Sequence, residues 1–312
     1  MAFNLQTFRT RTLTAIIFAA VMLIGLLWNK WSFLILFSII HFGCWWEYLK
    51  LTEKIHHTRF HTYTKLGLMV MGYGLMLWFC KSYFVNGYGL SQNISLPVSA
   101  AGFALLVIGI FQKNAISLKG FGMALMGFVY ISLCWGLMMD IRGGLAWVPH
   151  DIFTRINNKE ISSDELVQAA LFESKGIWLC LLTVFTMWIN DTMAYIVGSL
   201  IGKTPLSKIS PKKTWEGTVG GIILASFILG LSAKFCFQDM FAWKYSTLTW
   251  IGLPFLASVF GTLGDLLESK LKRMANVKDS GSFMPGHGGF LDRFDSLLLA
   301  VPFVWLYIQF FM

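Results

Sequence analysis

Apolar residues fall along this chain in long unbroken runs, not in strand-like alternation. The runs cover roughly residues 12–29, 31–49, 64–80, 98–112, 120–139, 176–197, 217–236, 247–264 and 296–311. A helix needs about 20 apolar residues to cross the hydrocarbon core of a bilayer. Each run therefore predicts a membrane-spanning helix, about nine in all, although the fourth is short and the eighth carries Pro254. The first run follows Arg9 and Arg11 as in a signal peptide. No small-residue cleavage site follows Leu27, however, and the next run is also apolar, so an uncleaved first span is expected.

Composition points the same way. Apolar residues make up 56% of the 312 positions and charged residues 13%, with a mean hydropathy of +0.62. Soluble domains sit near about 45–50% apolar and about 25% charged. The balance excludes an ordinary soluble globule and a disordered chain. The predicted class is all-α: a polytopic membrane protein forming one membrane domain over 1–312. A soft division near residue 175 separates bland N-terminal helices (1–175) from a polar-rich second half (176–312).

The net charge is +9, from 25 basic and 16 acidic residues. In a membrane protein that excess reads as loops held in the cytoplasm, not as a nucleic-acid surface. With the N-terminus inside and sides alternating, 17 of the 25 basic residues fall on the cytoplasmic side. The acidic stretch 140–175 falls outside, and two unusual loops, 198–216 and 265–295, share the cytoplasmic face. The five cysteines all lie in apolar runs without a C-x-x-C pair, so neither a disulfide scaffold nor a zinc site is expected.

Three clusters could carry chemistry. Asp191 sits in Trp188-Ile189-Asn190-Asp191-Thr192, near the inner end of the sixth run. A carboxylate at that depth is costly unless hydrated, paired or bound to a cation. It reads as a metal or substrate ligand, or as an interfacial carboxylate in water. Next, residues 202–217 hold Lys203, Lys208, Lys212 and Lys213 among hydroxyls and two prolines, just before a helix start. The stretch from Gly198 to Thr204 is one residue short of a Walker A loop and follows a membrane helix, so that reading is rejected. Lysines beside helix amides suit phosphate groups; the plainer reading is a basic loop touching anionic lipid.

The third cluster is the richest. Asp265, Glu268 and Lys272 recur at i, i+3 and i+7, one face of a helix. Asp292 and Asp295 share a face in the same way, so two Asp-bearing helix ends could meet around an oxygen-loving cation such as Mg²⁺. Between them, Pro285 to Gly289 forms a glycine-rich loop in which His287 either donates to a phosphate or braces the loop.

Residues 269–295 read S-K-L-K-R-x-x-x-x-K-D-x-G-x-x-M-P-G-H-G-G-F-x-D-R-F-D. This resembles, position for position, the signature of the CDP-diglyceride synthetase (phosphatidate cytidylyltransferase) family. The upstream N-D-T-x-A-Y and S-P-K-K-T-W-E-G segments are similar to that family too. The resemblance implies that CTP and phosphatidic acid give CDP-diacylglycerol and pyrophosphate, with Mg²⁺ as cofactor and room for a second, monovalent cation. It implies Asp265 and Asp292 as metal carboxylates, with Asp295 helping. It implies Lys212, Lys213, Lys272, Arg273, Lys278 and Arg293 as phosphate contacts, with Ser210, Thr214 and His287 in the same loops. Lys213 and Arg293 join the two aspartates as the expected catalytic set. A homodimer in a bacterial-type inner membrane, with its active site facing the cytoplasm, follows from the same resemblance.

A lipid phosphate carries about −1.5 to −2 charge at pH 7, so no strong base is needed to make it a nucleophile. The difficulty is bringing it onto another phosphate, which cations and Lys/Arg clamps ease. A transporter remains the main alternative, though charge gathers in loops on one side, and the first five runs hold no charged stripe apart from Glu47. A lipid or polyprenol kinase would need a base for a hydroxyl. A CDP-alcohol phosphotransferase would need a D-G-x-x-A-R motif, which is missing.

Overall fold

The computed structural model describes residues 5–85, 88–112, 117–143, 163–237, 245–283 and 288–312. The described chain is all-α apart from one small antiparallel ribbon, Phe84–Val85 with Tyr88–Gly89. The helices are α1 Leu5–Leu27, α2 Lys30–His56, α3 Thr62–Trp78, α4 Ser95–Ile110, α5 Leu118–Gly127, α6 Cys134–Gly143, α7 Ser163–Ile201, α8 Trp215–Phe237, α9 Thr247–Met274 and α10 Leu291–Phe311. A π-helical turn, Leu90–Ile94, leads into α4, and another, Phe128–Leu133, joins α5 to α6. Among the described residues, seven helical stretches are long and apolar enough to cross a membrane. They are α2, the stretches 90–110 and 118–143, the 174–201 part of α7, and α8 to α10.

The helices extend beyond the apolar runs that predicted them. α9 continues ten residues past residue 264 to Met274, and α10 starts at Leu291, five residues before its run. Asp265, Glu268 and Lys272 thus lie in a regular helix, and Asp292 and Asp295 in the first turns of the next. Pro254 does not divide α9, in keeping with the tolerance of membrane helices for proline.

The chain forms two compact units. The first draws on 1–78, 90–135 and 267–295. Within it α3 lies tightly on α4: a Cβ on Gly67 would run into the backbone of Leu106, and one on Gly102 into that of Met71. Bilayer interiors give helices no hydrophobic drive to associate, so close backbone approach through small residues supplies the attraction. Asn29 opens α2 with a capping box, accepting from Ser32 N at 2.8 Å while Ser32 Oγ accepts from Asn29 N at 3.1 Å. Deeper in α2, Trp45 Nε1 donates to Ser132 Oγ (2.8 Å), which also lies 3.0 Å from His41 Nε2. That pins the second π turn, whose side chain Ser132 is fully buried.

The second unit draws on 79–89, 136–266 and 296–312. In it α7 and α8 pack through Ala194, Gly217 and Gly221, where any added Cβ would crowd the facing helix. Phe260 stacks on Phe303. Buried Asp140 is satisfied by Lys81 Nζ at 3.1 Å and Trp305 Nε1 at 2.8 Å, as a carboxylate in an apolar interior must be.

Candidate active site

In the first unit, the end of α9 turns sharply. Asn276 adopts a left-handed φ of 54°, and Val277 N returns to Lys272 O at 2.9 Å, the usual closure of a helix C-terminus. The chain then runs through Ser280 to Gly288, whose φ of +84° suits glycine, and enters α10. Asp292 gathers this turn around itself. Its Oδ2 accepts from Ser280 N, Ser280 Oγ and Gly289 N, each at 2.8 Å. Its Oδ1 accepts from Lys272 Nζ at 2.7 Å.

Lys272 also pairs with Glu268, one helical turn back on α9. The Lys272 side chain is 14% exposed, and that of Glu268 is fully buried. Asp295 is buried one turn further along α10. Arg273, Lys278 and Arg293 are exposed, as befits groups free to meet a charged ligand. His287 lies outside the described residues.

A residue from the first half of the chain completes this cluster. Glu47 on α2 is buried, and its carboxylate accepts from Phe290 N (3.0 Å), Leu291 N (2.9 Å) and Ser280 Oγ (2.7 Å). Helix-terminal amides lack partners of their own helix, and Glu47 supplies them to α10. In sequence the only sign of it is a lone acid inside an apolar run.

In the second unit, residues 202–214 form a stapled loop. Pro205 bridges Thr214, Leu206 N donates to Lys213 O at 2.7 Å, and Trp215 N donates to Thr204 O at 2.9 Å. Thr214 Oγ1 accepts from Gly217 N at 3.2 Å and so caps α8. Glu216 accepts from the amides of Lys203 and Thr204. The staple aims Lys213 at Asp265, with Nζ 2.6 Å from Oδ2. Ser210 is half-buried in the same loop, Lys212 is exposed, and Asp191 is exposed on α7. Sequence reading missed Glu47, Ser280 and Glu216; Glu216 stands in a quoted motif, and the hydrogen bond it makes depends on how the loop folds.

The donor set is oxygen, which suits a hard divalent ion. Asp265 and Asp292 each already sit against a cationic ammonium, so both places hold positive charge. Asp292 Oδ1 accepts only Lys272 among the described residues, and a carboxylate oxygen has a second acceptor direction. Among those residues no three acidic, His or Cys side chains make a cage by themselves. The remaining coordination would come from water and substrate phosphates, the usual state of bound Mg²⁺.

The sequence profile of the cytidylyltransferase family matches residues 9–311. A phosphatidate cytidylyltransferase of Bacillus subtilis (strain 168) is 34% identical over 208 residues, 66% of this chain and 65% of the relative. One from Staphylococcus saprophyticus is 30% identical over 296 residues, 94% of this chain and 96% of the relative. One from Synechocystis sp. is 41% identical over 133 residues, 43% and 44% of the two chains. The match thus covers under two thirds of the Bacillus and Synechocystis proteins and nearly all of the Staphylococcus one.

Proposed function

The chain belongs to the cytidylyltransferase family, and we propose that it is a phosphatidate cytidylyltransferase, making CDP-diacylglycerol and pyrophosphate from CTP and phosphatidic acid. The observation that carries this reading is the pairing of lysine with aspartate among the residues that the family resemblance points to: Lys213 with Asp265, and Lys272 with Asp292. These are the groups that the transfer of one phosphate onto another requires.

In this reaction an oxygen of the phosphatidate monoester attacks the α-phosphorus of CTP. A P–O bond forms there, the bond to the bridging oxygen of the β-phosphate breaks, and pyrophosphate leaves. The attacking oxygen is already anionic, so no proton need be removed. Lys212, Lys213, Arg273, Lys278 and Arg293 bind phosphate oxygens, while Ser210 and Thr214 lend hydroxyls. Lys272 lies against Asp292 and serves whichever phosphate approaches that carboxylate. Mg²⁺ would supply charge neutralisation on the triphosphate when bound, and Asp265 and Asp292 are the carboxylates the family resemblance would assign to it.

The same reading takes the chain as nine-spanning, with the N-terminus and the loops 198–216 and 265–295 in the cytoplasm of a bacterial-type inner membrane, and as a homodimer. The shorter apolar helix Thr12–Leu27 within α1 supports the higher count, and the 17-residue α3 covers the third apolar run. The test is transfer of label from CTP into lipid, using pure protein in mixed micelles with phosphatidic acid and Mg²⁺, with and without EDTA. Chelator-sensitive transfer is expected. Folded protein that transfers no label across several phosphatidic acids and cations refutes the reading and brings a transport assay forward.

A further inference from the structure

We infer that Glu47 is a positioning residue for the signature loop: its carboxylate fixes the turn that presents Asp292. The inference rests on the proposed transferase reading. Glu47 reaches three donors spread over the loop and the start of α10, namely Ser280 Oγ, Phe290 N and Leu291 N. Ser280 is the link onward. Its Oγ lies 2.7 Å from Glu47 Oε2 and 2.8 Å from Asp292 Oδ2, and its own amide donates to that same Asp292 oxygen. One hydroxyl therefore ties a carboxylate of α2 to the carboxylate at the head of α10.

The glycines of the signature fit this role. A Cβ on Gly281 or Gly289 would collide with the Glu47 carboxylate, and one on Gly43, one turn earlier on α2, would run into the Phe290 ring. Phe290 stacks in turn on Phe283, with ring centroids 4.1 Å apart. The face of α2 bearing Gly43 and Glu47 is thus moulded to this loop. A buried carboxylate is expensive unless its oxygens are satisfied; here backbone amides and one hydroxyl satisfy it, so removing it frees the loop.

The test compares the full-length wild type with Glu47→Gln, Glu47→Asp and Ser280→Ala in mixed micelles. Two measurements run side by side: label transfer from CTP, and hydrogen exchange of peptides covering 280–291. In Glu47→Gln, an amide nitrogen replaces one acceptor. Its expected result is a fall in kcat of about 10- to 100-fold, the size that small misplacements produce, with the KM for CTP within about twofold. Faster exchange at Phe290 and Leu291 should accompany it. Ser280→Ala should fall in the same direction but less, and Glu47→Asp should recover part of the loss. Should Glu47→Gln not fold, Ser280→Ala carries both readouts.

Wild-type exchange at Phe290 and Leu291 in the folded variants overturns the inference. So does a wild-type kcat, or a loss confined to KM. A wild type that transfers no label refutes the transferase reading instead, and the exchange data then decide the structural role of Glu47 alone.

Discussion

Replacing Lys272 by methionine should cost more stability than removing Glu268, the more deeply buried of the two carboxylates it serves. Its ammonium lies 2.7 Å from Asp292 Oδ1, where unit charges attract by about 6 kcal/mol at an effective dielectric of about 20; it also pairs with Glu268. Desolvation offsets much of that attraction, but breaking a buried pair from one side still costs about 3–5 kcal/mol, because the abandoned acid stays buried and must either hold an unpaired charge or take up a proton. The two acids do not suffer equally. Asp292 keeps three other donors and a helix N-terminus. Glu268 is fully buried, with Lys272 as its only partner among the described residues. The cost therefore sits at Glu268. Glu268→Gln leaves one cation with one acid and should cost less than Lys272→Met, and Lys272→Met combined with Glu268→Gln should recover most of the single loss. Unfolding in mixed micelles titrated with dodecyl sulfate, followed by tryptophan fluorescence, reads all three. A Lys272→Met loss below about 1 kcal/mol, or a Glu268→Gln loss as large as that of Lys272→Met, refutes the assignment.

Other expectations follow from single contacts. Gly102→Val should destabilise by about 1–3 kcal/mol or more, since even a Cβ there meets the backbone of α3; the same titration checks it. Glu216→Ala should leave the amides of Lys203 and Thr204 unmet and open the loop 202–214. Faster proteolysis there and a raised KM for CTP, with the protein still inserted, are the expected readouts. Asp265→Asn should abolish turnover without unfolding the chain, and Lys213→Ala should raise the KM for a phosphate substrate. Because the two side chains touch, the double variant should lose less than the sum of the singles, as a double-mutant cycle will show.

Much of the architecture is legible in the chain because hydropathy is a local signal. Runs of about 20 apolar residues announce helices wherever they pack, and α8 arrives where its run places it. The ends are harder. α9 carries ten more residues than its apolar run because Asp265, Glu268 and Lys272 continue the helix with a polar face, and hydropathy is blind to a helix that has turned polar. Spacing recovers what hydropathy loses: the i, i+3, i+7 pattern of those three residues indicates the helical face in advance.

The site divides along the same line. Asp292, Lys272 and Asp265 stand in a dense motif and can be found by reading it. Glu47 sits 233 positions before the hydroxyl it grips, and no local pattern records that meeting. Its trace is indirect and lies in the motif itself. Gly281 and Gly289 look like residues kept for flexibility or for a ligand, yet the room they leave is filled by the Glu47 carboxylate. A glycine can thus mark where another part of the same chain must enter, and then its partner is best sought among lone polar residues in apolar helices. Such a residue is expensive in a bilayer, so something must satisfy it. Here the unpaired amides at the head of α10 and an acid lacking a counter-charge within its own apolar run answer one another, and the catalytic-half signature is held in shape by a helix from the half that carries no motif.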